Sequence, residues 1–390
     1  MKDGDIMDGF YMPILNYFND QAIENIERDL VESKKNYALI VTDKFLRQTD
    51  AYQRVINVFE RARISYYVFD EVIANPTTKS VNDGLSLVKD QKPDVIISIG
   101  GGSAHDTAKA ISIVLANGGC IKDYEGVNKM KVQGVPMVAI NTTAGTASEM
   151  TYFCIITDEQ RKVKMAIVDP KMLPWISIND PKTMMSLPKS LTAATGIDAL
   201  THAIEAYLSI NATPITDANA LYAIKLIKQH LPIVYKDGLN RESRKMMAYA
   251  QFLAGMAFSN ASLGYVHAIA HQLGGFYNLP HGVCNALLLP YVLEFNGMQL
   301  KGSRIGDIYE AFGGKPFNKQ NQIATKNLVK AIKEFNHDLD IPKSLKELGV
   351  KPKDFLELAN NALKDSCALT NPVKTDIHGI VKILEKAYRG

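Results

Sequence analysis

The chain has 390 residues, 46% of them hydrophobic and 22% charged, with 44 basic against 41 acidic side chains and a formal charge of +3. That length exceeds one ordinary core and implies two domains, in a composition typical of soluble globular proteins. The near balance of charge gives no electrostatic case for nucleic acid or membrane binding, so the expected partner is a small molecule. Cys120, Cys154, Cys284 and Cys367 form no CxxC pair. Their scatter argues against a thiolate zinc site or a disulfide framework and for a reducing cytoplasm. Met1 to Phe10 carries three aspartates and no apolar core, so it does not read as a secretory signal. No apolar run reaches the roughly 18 residues that a spanning helix needs.

The first half alternates short apolar strands with amphipathic helices, the pattern of a parallel sheet covered on both faces. Tyr37 to Asp43 reads as a buried strand ending in an acid, and Ser65 to Phe69 as another. A third strand, Asp94 to Ile99, runs straight into Gly100-Gly101-Gly102-Ser103, with helix from Asp106 to Leu115. Three glycines at a helix start let backbone N–H groups approach a phosphate closely, and the helix dipole favours the anion. Ser103 and Asp106 also fit the S/T-x-x-D/E spacing of a capping box, so plain helix initiation is the competing reading. Asp43 stands at a strand's carboxyl end, like the acid that holds an adenosine ribose. It precedes the glycine turn by nearly sixty residues, however, which is not the usual Rossmann order; a helix cap or surface turn is the alternative.

Val135 to Ile140 reads as a further strand, delivering the hydroxyl-rich loop Asn141 to Glu149. That loop can donate to phosphate or ribose oxygens, or serve as a capped turn. Tyr152 to Thr157 follows as a strand, and Arg161 to Lys164 as a solvated basic hairpin tip.

Near Leu187-Pro188 strand signals nearly vanish, which places a domain boundary there: 1–187 as an α/β domain, 188–390 as an all-helical one. Helical patterns run over Leu191–Leu208, Ile215–His230, Glu242–Phe258, Val266–Leu273 and Cys284–Phe295. Amphipathic cover helices follow near Ile323–Phe335, Pro352–Ala362 and Thr375–Tyr388, with Gly/Pro-bearing connections at 313–317 and 340–343.

Five of the eight histidines fall between Gly196 and Gly282. Asp198 and His202 stand four apart on one helix face, as do His267 and His271, and Pro280-His281-Gly282 offers another imidazole from a turn. One carboxylate plus imidazoles without a thiolate suits a borderline divalent metal such as Fe²⁺ or Zn²⁺. Any one of these histidines alone reads equally well as a hydrogen-bonded core residue.

Four segments, GGGSAHDTAKA (100–110), TTAGTASE (142–149), GIDALTHAIEAY (196–207) and LGYVHAIAHQLG with PHG (263–274 and 280–282), occur in order over nearly the whole chain. Together they resemble the iron-containing (group III) alcohol dehydrogenases, in the branch of propanediol, lactaldehyde, methanol and butanol dehydrogenases. The resemblance implies a Rossmann-like NAD-binding domain and an all-α metal-binding domain. It implies Asp198, His202, His267 and His281 as ligands of Fe²⁺, with Zn²⁺ possible, and His271 as a proton relay; spacing alone leaves His267 and His271 interchangeable. For the cofactor it implies Asp43, Asn75, Gly101, Gly102, Ser103, Thr142, Thr143, Thr146 and Lys164, with the acid at 43 favouring NAD over NADP. Phe153, Phe258 and Cys367 match pocket-wall positions. An apolar, narrow pocket for short primary alcohols and their aldehydes follows, although all three side chains are equally compatible with core packing. A homodimer or higher homo-oligomer is implied as well. Two rivals stand beside this reading: an NAD-dependent metal lyase of the dehydroquinate synthase type, and a zinc-stabilised binding module. The first requires a basic pocket that 196–282 does not supply near its ligand helices.

Overall fold

The computed structural model describes residues 9–161, 163–315 and 321–390. Met1–Asp8 of the N-terminal stretch, Lys162 of the basic run, and residues 316 and 317 of the 313–317 connection lie outside them.

The N-terminal half contains strands β1 (Leu15–Tyr17), β2 (Tyr37–Val41), β3 (Ser65–Phe69), β4 (Val95–Gly100), β5 (Gly126–Val127), β6 (Met137–Asn141), β7 (Phe153–Asp158), β8 (Val163–Val168) and β9 (Ile176–Ile178). Between them lie helices α1 (Ala22–Glu32), α2 (Asp50–Ala62), α3 (Thr78–Ser86) and α4 (Gly102–Asn117). Six strands form one sheet in the order β1-β9-β6-β4-β2-β3, every neighbouring pair parallel. Strand alternation divides the side chains between two cores. Ala38, Ile40, Ile97, Ile99 and Ile140 pack against α1 and α2 through Ile26, Leu30, Val55 and Phe59. Leu39, Val41, Ile96 and Ala139 face α3 and α4 through Val81, Ala108 and Ile111. Both faces are covered, as the near-continuous apolar runs of β2 and β4 require.

β3 lies on one side of β2 and β4 on the other. The winding direction therefore reverses between β2 and β4, and a parallel sheet binds its ligand in the crevice at the carboxyl ends of strands at such a point. Those two ends carry Asp43 and the glycine turn.

Two features differ from the sequence expectation. β1 and β9 had no signal of their own, because three residues are too few for a period to show. The basic run 161–164 is only in part the expected tip: Arg161 lies exposed in the turn between the antiparallel strands β7 and β8, whereas Val163 and Lys164 already belong to β8, in a second sheet ordered β5-β8-β7. Arg161 bonds Asp158 and Glu125, while Lys164 is half-buried and turns to Asn75.

No strand follows Ile178 among the described residues. The helix-rich half comprises α5 (Lys189–Leu208), α6 (Pro214–Lys236), α7 (Arg241–Ala261), α8 (Tyr265–Tyr277), α9 (His281–Gly297), α10 (Arg304–Ala311), α11 (Asn321–Asp338), α12 (Phe355–Ala362) and α13 (Ile377–Arg389). Helix starts follow local chemistry: Thr213, Asn240 and Asp376 each accept a first-turn N–H with the side chain. α5 is the centre, packed against α6, α7 and α9 and buried on every face from Gly196 to Leu208. Gly196 permits this, since a Cβ there would sit 2.4 Å from Leu231 of α6. None of the described helices is long and apolar enough to cross a membrane.

Candidate active site

Asp198 and His202 project from α5, His267 from α8 and His281 from the first residue of α9. His281 thus opens a helix rather than sitting in a free turn, with Pro280 as the cap residue. Gly282 is what lets α9 start there, because a Cβ would lie 2.3 Å from the Ala194 carbonyl of α5. The four side chains converge. Nε2 of His202, His267 and His281 lies 3.8, 3.7 and 3.6 Å from Oδ1 of Asp198. Asp198, His267 and His281 offer atoms mutually within 4.8 Å, and His202 stacks on His267 at 4.5 Å between ring centroids.

The donor set fits a divalent cation. Burial opposes ionisation of Asp198, yet His202, His281 and His267 hold its carboxyl well below the usual range. Burial pushes His202 down to about 4 and His281 well below an ordinary imidazole. An ionised acid and neutral imidazoles are the protonation states that metal binding demands. His267 is the exception: burial lowers it, but the neighbouring Asp198 and its hydrogen bond to Glu205 raise it to about 9, so an ion bound there would displace a proton from it.

Two residues that the sequence reading passed over complete the cluster. Glu205, three residues after His202, bonds Nδ1 of His267 at 2.6 Å and also accepts the Val266 N–H at 2.7 Å. That is the carboxylate partner which fixes a ligating imidazole's tautomer. Asn285, four after His281 on α9, puts its amide nitrogen 2.6 Å from Asp198 Oδ1 and 3.1 Å from Nε2 of both His267 and His281. The i,i+3 and i,i+4 spacings that flagged the histidines could have found both. His271 turns away from Asp198; its Nδ1 bonds Asp365 Oδ2 at 2.8 Å, and its ring stacks on His281 at 5.4 Å. Although burial opposes it, His271 and the Cys367 N–H keep the Asp365 carboxyl below the ordinary range.

On the sheet side Gly101 is the N-cap of α4 and no side chain caps that helix. The capping-box reading of Ser103 and Asp106 is therefore wrong. Asp106 is instead drawn inward: Oδ1 accepts from Ser148 Oγ at 2.7 Å and Oδ2 from the Ile155 N–H at 3.1 Å. Fully buried Lys109, one turn on, donates to Ser148, Thr151 and the Phe153 carbonyl. Half-buried Asp106 and buried Lys109 on α4 thus tether the hydroxyl-rich loop and β7 to the glycine turn. The fit is close. A Cβ on Gly101 would stand 2.9 Å from Thr143, and one on Gly102 would stand 3.1 Å from Thr146. Thr142 donates its N–H to the Gly100 carbonyl at 3.0 Å, so Gly101, Gly102, Ser103, Thr142, Thr143 and Thr146 line one trough. The loop also reaches the helices, where a Cβ on Gly145 would meet Thr195 at 2.6 Å.

Asp43 lies just past β2, and its Oδ1 accepts from the N–H groups of Phe45 and Leu46 at 2.9 and 2.8 Å. The turn-capping alternative is thus realised, and Oδ2 remains for another donor. Lys164 donates to Asn75 Oδ1 at 2.8 Å, and Asn75 Nδ2 donates to Asn278 at the end of α8, 3.1 Å away. This pair bridges the sheet side to the turn that carries His281. Between the halves, Phe258 stacks on His202 at 4.2 Å and faces Phe153 at 6.3 Å. Cys367 is buried beside His271 and Asp365.

A glycine-turned parallel sheet beside a buried cluster of one acid and three imidazoles is the build of a metal-dependent oxidoreductase. The iron-containing alcohol dehydrogenase profile matches residues 13–181, and that of the Fe-containing alcohol dehydrogenase family, C-terminal part, matches 192–388. The chain belongs to the iron-containing alcohol dehydrogenase family. It is 49% identical to alcohol dehydrogenase 4 of Saccharomyces cerevisiae, over 97% of this chain and 98% of that one. To the NAD-dependent methanol dehydrogenase of Bacillus methanolicus it is 42% identical, over 98% and 100% of the two chains. Among solved structures, the alcohol dehydrogenase from Oenococcus oeni superposes with a TM-score of 0.95 at 41% identity, covering 97% of this chain and 100% of that one.

Proposed function

We propose that this chain transfers hydride between NAD(H) and a short primary alcohol or its aldehyde, at an iron held by Asp198, His202, His267 and His281. The observation that carries the proposal is the convergence of one buried carboxyl group and three imidazole nitrogens within 3.6–3.8 Å of it. A divalent ion bound there would acidify an alcohol hydroxyl or polarise an aldehyde carbonyl. Glu205 and Asn285 hold the donors in register for it, and Zn²⁺ suits the same set.

The remaining work falls to the chain. In this reading the N-terminal portion, 1–187, binds the dinucleotide, and 188–390 carries the ion and the substrate. The trough of Gly101–Ser103 and the Thr142, Thr143 and Thr146 loop presents N–H and hydroxyl donors to the pyrophosphate at the start of α4. Asp43 Oδ2 takes the adenosine ribose hydroxyls and repels a 2′-phosphate, so NAD is preferred. Asn75 and Lys164 would hold the nicotinamide end, which when bound supplies or accepts the hydride. His271 exchanges the hydroxyl proton with solvent. Phe153, Phe258 and Cys367 wall the substrate side; two aromatic faces and a thiol favour a small unbranched alcohol over a polyol. Relatives named as dehydrogenases over nearly their full length favour this reading over the lyase.

The free cysteines suit a reducing cytoplasm, and a homo-oligomer remains part of the proposal, readable by mass photometry. The direct test is anaerobic NADH oxidation against short aldehydes with Fe²⁺ or Zn²⁺ added back. We expect turnover that depends on the added ion and exceeds that with NADPH; metal-independent turnover would overturn the assignment.

A further inference from the structure

We propose that Asp365 is a positioning residue for proton transfer: it fixes the tautomer of His271 so that Nδ1 carries the ring proton and Nε2 presents its lone pair to the cleft. The inference rests on the reading that His271 handles the substrate proton. Asp365 precedes the short helical turn Ser366–Thr370, and its two oxygens have different tasks. Oδ1 accepts the Cys367 backbone N–H at 2.9 Å. Oδ2 meets His271 Nδ1 at 2.8 Å and, more weakly, the Gln272 amide at 3.4 Å. A carboxylate only accepts, so the imidazole nitrogen facing it must bear the hydrogen. Nε2 makes no hydrogen bond to another described residue, and the side chain is 20% exposed, so this nitrogen is open to substrate and solvent. In alcohol oxidation Nε2 would accept the substrate's hydroxyl proton and pass it on to solvent, the hydride being taken up by the nicotinamide cofactor when bound. In aldehyde reduction each transfer reverses.

The backbone makes the claim testable with one isosteric change. In Asp365→Asn the Cys367 N–H selects the amide oxygen for its own end, so the amide NH₂ falls where Oδ2 stood and faces Nδ1. A donor opposite Nδ1 requires a lone pair there and moves the ring hydrogen to Nε2. The shape is kept while the tautomer inverts.

The test compares zinc-loaded wild type, Asp365→Asn, His271→Ala and the double variant. We expect Asp365→Asn to lower kcat by about 10–100-fold with NADH affinity, metal content and melting temperature unchanged. Nitrogen NMR of histidine-labelled protein should show the hydrogen of His271 moving from Nδ1 to Nε2. The double variant should be no slower than His271→Ala, because a residue acting through another adds nothing once that one is gone. Unchanged turnover in Asp365→Asn beside a slowed His271→Ala would overturn the proposal, and so would slowed turnover with the ring hydrogen still on Nδ1. If His271→Ala retains full turnover, the reading of His271 itself fails, and the NMR shift still reports whether Asp365 sets the tautomer.

Discussion

The two ends of the proposed site are built by opposite means. The metal end draws its donors from three packed helices, and Asp198, His202 and His267 are each no more than 6% exposed. The proposed cofactor end is drawn mostly from turns: the residue after β2, the glycine elbow after β4 and the loop after β6, with one lysine from β8. A cluster on enclosed helices cannot shift without disturbing the core around it. A trough made of turns can yield by tenths of an ångström. Substitutions at the metal end should therefore act nearly all-or-none, and those at the cofactor end by degrees.

The largest expected effect is that of His267→Ala, which removes one donor and frees Glu205. Metal should be absent by mass spectrometry, and turnover should fall by roughly a thousandfold or more, since the ion contributes several kcal/mol at the transition state. Retained metal would show that the helical end is less rigid than the contrast requires. Next comes Glu205→Gln, which keeps the shape but gives up the charge behind His267. Metal affinity, measured by chelator competition, should weaken about 10–100-fold. Smaller again is Gly101→Ala, whose methyl would press on Thr143 at 2.9 Å. NADH affinity in a fluorescence titration should drop about tenfold with metal content unchanged; loss of metal there would erase the distinction between the ends. The smallest is Asp43→Gly, which removes the charge facing the 2′ position. The preference for NAD over NADP in kcat/KM should narrow by several-fold, as expected for a half-buried charge worth about 1 kcal/mol.

The same contrast explains what could be read from the sequence. Helix periodicity alone placed Asp198 with His202 and His267 with His271, because a turn of helix is a local rule. It could not choose between His267 and His271. They stand on one face of one helix, and the choice is made by two acids far away in the chain: Glu205 engages the first, Asp365 the second. At Ser103-x-x-Asp106 the local rule was satisfied in letters and overridden in space. The Ser148 hydroxyl and the Ile155 N–H take up the Asp106 carboxylate instead of the helix end. β1 and β9 escaped notice because three residues carry no periodic signal. The cofactor trough was legible only in pieces, since Asp43, the glycine elbow and the threonine loop meet through sheet order rather than through spacing.

His281 differs from its three companions in one respect: its side chain is 30% exposed, whereas theirs are almost wholly enclosed. It is also the donor at a helix's first residue rather than in mid-helix. If an ion sits in this cluster, the half-exposed imidazole at the head of α9 is the donor nearest to solvent. The speed at which a chelator strips the enzyme should then follow how firmly Pro280 and Gly282 seat that ring, and not the strength of the bonds made deeper inside.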